Sequence, residues 1–224
     1  MNNGSSKTIT LLDNNHILHH YSDSFSADGK SKIKCKGLGA KLVAINSFFL
    51  EYLKEYQLPI AFIKAYNKNS LRYLKHDKLD FYIKILNLCD KRIAKIFGKK
   101  ESEPLTLPLF EYHYSNDKNS IISESHLITF NLCTIEDIKI INRICLKVNA
   151  ILKSYFARRN STLAEVSCYF GKIEDKIYLI DDFTPNSLKV IPLDKNHSAI
   201  DPYNLHSASS ITHYTDYLHN RLIA

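Results

Sequence analysis

The chain has 224 residues, of which 45% are hydrophobic and 24% charged, and it carries a formal net charge of +7. This composition belongs to a folded chain long enough to bury one large core, and it excludes general disorder. Lys, Asp, Asn or Glu interrupts every apolar run well short of the roughly 20 residues of a membrane helix, and residues 1–10 lack the apolar stretch of a secretory signal, so a cytoplasmic protein with no membrane partner is expected.

Taken in order, residues 7–12 and 16–21 alternate in polarity around Asp13-Asn14-Asn15 and predict an antiparallel hairpin. Gly29, Gly37 and Gly39 then lie among lysines in a basic loop, and Leu42, Ile45, Phe49, Tyr52, Leu53 and Tyr56 recur at helical spacing. Residues 60–66, 81–88 and 109–114 are rich in β-formers and predict strands of a second sheet. Residues 101–108, with two prolines and no period, predict a loop. Thr134, followed by Glu136 and Asp137, predicts the N-cap of a helix whose apolar face carries Ile138, Ile141, Cys145, Val148, Leu152 and Tyr155. A second hairpin over 162–170 and 176–180 ends at Asp181-Asp182, and Ile211, Tyr214, Leu218 and Leu222 mark a closing helix.

The positive charge is spread among acidic residues rather than gathered in one stripe, so small anions are expected partners and nucleic acid is not. Five cysteines, an odd number with no C-x-x-C pair, predict buried free thiols. His19 and His20 are adjacent on a strand, face opposite sides and cannot converge on one ion; His113 and His126 have no visible partner. Asp181-Asp182 is the pair with chemical promise. Mg²⁺ favours one or two carboxylates together with phosphate oxygens and water, so the pair could hold a nucleotide's metal, or it could simply end a strand in solvated turn residues.

Several short segments then gain meaning from their order: Gly4-Ser5-Ser6-Lys7, Asp23 through Gly29, Lys36-Gly37, Glu111-Tyr112-His113-Tyr114 before Asn116-Asp117, Phe170-Gly171, and Asp181-Asp182-Phe183-Thr184-Pro185. Together they resemble the phosphoribosylaminoimidazole-succinocarboxamide (SAICAR) synthetase family over about residues 4–190, and more faintly to the C-terminal helix. That family joins aspartate to a carboxylated imidazole ribonucleotide, using ATP and Mg²⁺. The resemblance implies an α+β, two-lobed fold with antiparallel sheets, flanking helices and an ATP cleft between the lobes. It implies a single domain over 1–224, with a smaller N-terminal lobe of about 1–75 and a larger C-terminal lobe of about 76–224. It assigns ATP to Gly4, Lys7 and Lys36, the substrate to Asn87, Arg92 and Lys189, and Mg²⁺ to Asp181 and Asp182.

The departures are as informative. Tyr169 stands where the family has a carboxylate of its E-F-G step, Lys91-Arg92 where it has G-S, Leu86 where it has an arginine, and Lys189 where it has another. Glu165, four residues from Tyr169 on the same strand, is the nearest candidate to replace the lost carboxylate. Two functions are therefore expected from the residues: an ATP-dependent ligase of purine biosynthesis, or a catalytically impaired relative that binds nucleotide in a regulatory role. A homo-oligomer is left open.

Overall fold

The computed structural model describes residues 5–26, 31–115, 120–180, 182–193 and 200–222. Strands β1 (Ser5–Asp13) and β2 (His16–Phe25) form the first hairpin, as the alternation predicts. Its register sets Lys7 opposite Tyr21, Ile9 opposite His19 and Leu11 opposite Ile17. Because side chains alternate along a strand, Ile17, His19 and Tyr21 share the inner face and are buried. Strand β2 also pairs with the two-residue β3 (Ile33–Lys34) and with β5 (Ser70–Leu74), which in turn pairs with β4 (Phe62–Asn67), to complete a five-stranded antiparallel sheet. The segment 60–66 thus supplies a strand of this sheet and touches the second through an isolated bridge from Ile60 to Leu179. Its β-forming composition marks a strand but cannot name its neighbour.

Helix α1 (Leu38–Glu55) lies on this sheet and buries Leu42, Ile45, Phe49 and Leu53, the face that its spacing predicts. No local side chain caps its start, and Gly37 sits at a φ of 75°. The cap comes from β2 instead: Asp23 accepts the Gly37 N–H at 2.7 Å and the Gly39 N–H at 3.0 Å. These two bonds hold the Asp23 carboxyl below its usual value of 3.8. A carboxyl depressed by folding stabilises the fold above its unfolded-state value and loses that contribution as pH falls. The stability gap between the parent protein and Asp23→Asn, read from urea unfolding, is therefore expected to be widest above the unfolded-state value and to shrink as pH falls below 3.8.

The second sheet contains β6 (Asp77–Leu88), β7 (Pro104–Tyr114), β8 (Ile121–Ile122), β9 (Ser161–Ile173), β10 (Lys176–Leu179) and β11 (Leu188–Pro192). They run in the order β10-β9-β6-β7-β8, with β11 also on β9, and all pairs are antiparallel. Residues 104–108 are strand rather than the expected loop. The register shifts between Leu86↔Leu109 and Leu88↔Pro104, and such an irregularity accommodates residues that cannot donate to the ladder.

Helix α2 (Lys91–Phe97) starts where the Asp90 side chain accepts the Ile93 N–H at 2.6 Å. After the short α3 (Glu124–Thr129), helix α4 (Ile135–Ala157) opens on the expected Thr134 cap, closed into a capping box by Asp137. Its six predicted apolar positions are all buried, and it packs on β9 and β6. Helix α5 (Ala208–Asn220) buries Ile211, Tyr214 and Leu218. The five cysteines are buried and free. Among the described residues no helix is long and apolar enough to cross a membrane.

Two internal polar contacts set where the sheets and helices meet. Asn46 of α1 accepts the Phe183 N–H at 2.7 Å and donates to the Phe183 carbonyl at 3.2 Å, while the Phe183 ring packs 5.6 Å from that of Phe49. The turn that follows the second hairpin is thereby fastened to α1. Between β6 and α4, Asn87 and Asn149 exchange amide bonds of 2.8 and 3.0 Å inside the core. Replacing Asn87 alone with leucine strands the Asn149 amide, and a loss of about 2 kcal/mol in urea unfolding is expected; the double leucine variant should recover most of it.

Candidate active site

The sheets enclose a cleft of about 1110 Å³. Lys7, Ile9, Ile17 and His19 of the first hairpin line one wall, and Tyr82, Lys84, Glu165 and Tyr169 of β6 and β9 line the other. Seven lysine or arginine side chains face it against five carboxylates, a balance suited to an anion.

Polar contacts to Asp182 join the two walls. Lys7 Nζ lies 3.1 Å from Asp182 Oδ2, both side chains being largely buried, and the Tyr21 hydroxyl donates to Asp182 Oδ1 at 2.9 Å. The lysine and the aspartate that sequence placed in one site are thus in direct contact. Gly4 and Asp181 lie outside the described residues.

Of the residues expected to hold substrate, Arg92 lines the cleft and pairs with Glu111, which His113 Nε2 also approaches at 3.2 Å. Lys189 lines it as well, but donates to the carbonyls of Pro185 at 2.7 Å and Pro202 at 2.8 Å, leaving one proton for any other acceptor. Burial lowers the Lys189 ammonium to about 8. Its strand neighbour Glu165 is also buried, and burial raises its carboxyl despite Lys84 at 3.7 Å.

Two expectations need correction. Asn87 points at α4 and bonds Asn149, because Tyr82 and Lys84 take the cleft face of β6 and the odd positions take the other. Lys36 is exposed and does not line the cleft; the backbone turns at Gly37 to begin α1 and leaves it in solvent.

Residues the sequence did not single out contribute more. Tyr82 stacks on Tyr169 at 5.0 Å and on His113 at 5.1 Å, following the cross-strand pairs Tyr82↔Tyr169 and Tyr82↔His113. Lys78 Nζ sits 5.6 Å from the Tyr169 ring centre. Burial, with Glu165 and Glu111 nearby, pushes the Tyr82 hydroxyl up to about 12, so it remains a protonated donor at neutral pH. The signal for this row lay in the register, which a single strand's sequence does not contain. Lys75, His76 and Lys78 also line the cleft, a placement that comes only from their position between the sheets.

Among the described residues no group of three His, Cys, Asp or Glu side chains could hold a metal by itself. A neutral phenol at position 169 is a poor Mg²⁺ ligand, whereas Asp182 offers one carboxylate at the cleft. Among the described residues this donor set fits Mg²⁺ carried in on a polyphosphate, which Asp182 would help to hold, better than a metal resident without nucleotide.

Over residues 1–204 the sequence matches the family model described as SAICAR synthetase. The chain belongs to the SAICAR synthetase family. The phosphoribosylaminoimidazole-succinocarboxamide synthase of Pyrococcus abyssi is 30% identical over 186 residues, which cover 82% of this chain and 79% of that protein. A crystal structure of the SAICAR synthetase from Pyrococcus horikoshii OT3 superposes with a TM-score of 0.85 at 25% identity, covering 97% of each chain. A SAICAR synthetase solved in complex with ADP also gives a TM-score of 0.85 at 25% identity, over 99% of this chain and 96% of that one. The α+β arrangement of two antiparallel sheets with flanking helices is therefore that of the SAICAR synthetases.

Proposed function

We propose that this chain is an ATP-dependent carboxylate–amine ligase of de novo purine biosynthesis, acting in the cytoplasm. The observation that carries the reading is the Lys7–Asp182 pair between the walls of a cation-rich cleft, in a family one of whose members is solved with ADP. The two sheets would belong to lobes of about 1–75 and 76–224 within one domain. In this reaction the substrate carboxylate oxygen attacks the ATP γ-phosphorus, ADP leaves, and the aspartate amine displaces phosphate from the acyl carbon with loss of a proton. The protein's part is mainly to place charge. Lys7 neutralises the nucleotide phosphates, Lys91 and Arg92 take an anionic group of the second substrate, and the Tyr82 hydroxyl donates within the cleft. Mg²⁺, when bound with ATP, supplies charge neutralisation at the transferred phosphoryl group.

The test is ADP release coupled to both the carboxylated imidazole ribonucleotide and aspartate. Release that requires both is expected, and none above background removes the ligase reading. A second reading, a relative that binds nucleotide without turning it over, draws on Tyr169 in a carboxylate's place and on Lys189 bonded to two carbonyls. It predicts that ADP raises the unfolding temperature while no ADP is released.

A further inference from the structure

His19 is a cleft residue whose chemistry the reading above does not use. It is 1% exposed, and its ring stacks on Tyr73 with centroids 4.0 Å apart. Neither ring nitrogen has a hydrogen-bond partner among the described residues. Two buried polar atoms without partners are costly, and such pairs in a native structure call for an explanation. The groups around it do not supply one. Tyr73 offers its face, Ile9 across the hairpin is apolar, and His76 packs edge-on at 6.2 Å with its own Nδ1 against the Leu74 carbonyl. Burial, then Lys7, His76 and Lys78, keep the imidazole neutral. A neutral imidazole offers one N–H donor and one lone-pair acceptor. Phosphate, which only accepts, would satisfy half of it and has Lys7 and Lys78 close by as better partners. A hydroxyl, or a base edge carrying both a donor and an acceptor, satisfies both nitrogens.

We propose that His19 hydrogen-bonds the uncharged part of a nucleotide held in this cleft, its ribose hydroxyls or the polar edge of its base, and takes no part in binding phosphate. The proposal rests on the nucleotide reading above and goes beyond it to the part of the ligand that is read. His76, whose ring packs edge-on against His19, and Lys78 both line the cleft and are more exposed than His19 itself.

The experiment uses the full chain, with His19→Phe and His19→Gln, titrated by calorimetry with ADP, 2′-deoxy-ADP, inosine diphosphate and inorganic tripolyphosphate. Phenylalanine keeps the stack on Tyr73 and removes both polar atoms, whereas glutamine keeps a donor and an acceptor. ADP affinity should fall about tenfold in His19→Phe and return to within a few-fold in His19→Gln, the scale of one or two hydrogen bonds. Tripolyphosphate should bind all three proteins equally, and unliganded His19→Phe should unfold at no lower temperature than the parent. A loss confined to ADP over 2′-deoxy-ADP assigns the ribose, and one confined to ADP over inosine diphosphate assigns the base. Equal ADP affinity in His19→Phe, or an equal loss for tripolyphosphate, overturns the proposal. Absence of ADP binding to the parent protein removes the nucleotide reading itself, and the role of His19 falls with it.

Discussion

Replacing Gly39 with alanine is expected to cost at least about 3 kcal/mol and to abolish nucleotide binding in whatever folded protein remains. A Cβ built at Gly39 would stand 2.3 Å from the Tyr21 carbonyl oxygen and 3.1 Å from its carbon. Both are backbone atoms of a strand paired on two sides, so neither can swing aside as a flexible side chain would. The close approach has a purpose. It brings the first turn of α1 against β2 so that Asp23 can accept the Gly37 and Gly39 amides, and it fixes the Tyr21 backbone whose hydroxyl holds Asp182. Relief by moving either element breaks the cap or shifts the site. Gly37 supplies the contrast: its φ is 75° but nothing lies within 4 Å of a built Cβ, so Gly37→Ala should cost only about 1 to 2 kcal/mol for the left-handed backbone. Urea unfolding separates the two variants, and near-equal losses would mean that the contact at Gly39 is soft.

What the sequence showed, and what it hid, follows from the range over which each signal acts. The β1–β2 hairpin and the apolar face of α4 were legible because period-2 alternation and 3.6-residue spacing are written within a few consecutive residues, as is the Thr134 cap. The membership of β4 was not, since its pairing with β5 is decided by contacts outside its own residues. The 109–114 part of β7 was legible from its β-formers, but its start was hidden by Pro104 and Pro108, whose exclusion from regular ladders was outweighed by a register irregularity opposite β6. The short β5 and β11 carry too few residues to declare a period.

The site divides in the same manner. Lys7 and Asp182 could be named because each lies in a short contiguous segment that resembles the family's. Asn87 faces α4 instead, and a single asparagine that agrees with the family says nothing about which face of β6 it occupies. Tyr82, Lys78 and His19 become cleft residues only once two sheets face each other. Asn46, next to Ile45 on α1, reads in sequence as a polar interruption, and its bonds to the Phe183 backbone have no local signature.

The second large effect concerns Asp182, and its sign depends on the metal. Lys7→Met removes a cation from the cleft and should weaken ADP about 10- to 100-fold, with or without Mg²⁺, as one lost charge-assisted contact to phosphate is worth about 1.5 to 3 kcal/mol. Asp182→Asn removes an anion that sits 3.1 Å from Lys7. In metal-free buffer that carboxylate repels the polyphosphate and engages the lysine meant for it, so the asparagine variant should bind ADP more tightly than the parent, by about three- to tenfold on the Coulomb scale of a partly screened pair. With Mg²⁺ present the same carboxylate attracts the metal carried by the nucleotide, and its loss should weaken binding by about tenfold. The crossing of the two curves is the signature of a carboxylate that meets Mg²⁺ on the ligand. Parallel curves, with Asp182→Asn shifting affinity in one direction under both conditions, would make Asp182 a structural partner of Lys7 and Tyr21 and leave the metal's place in the cleft to other residues.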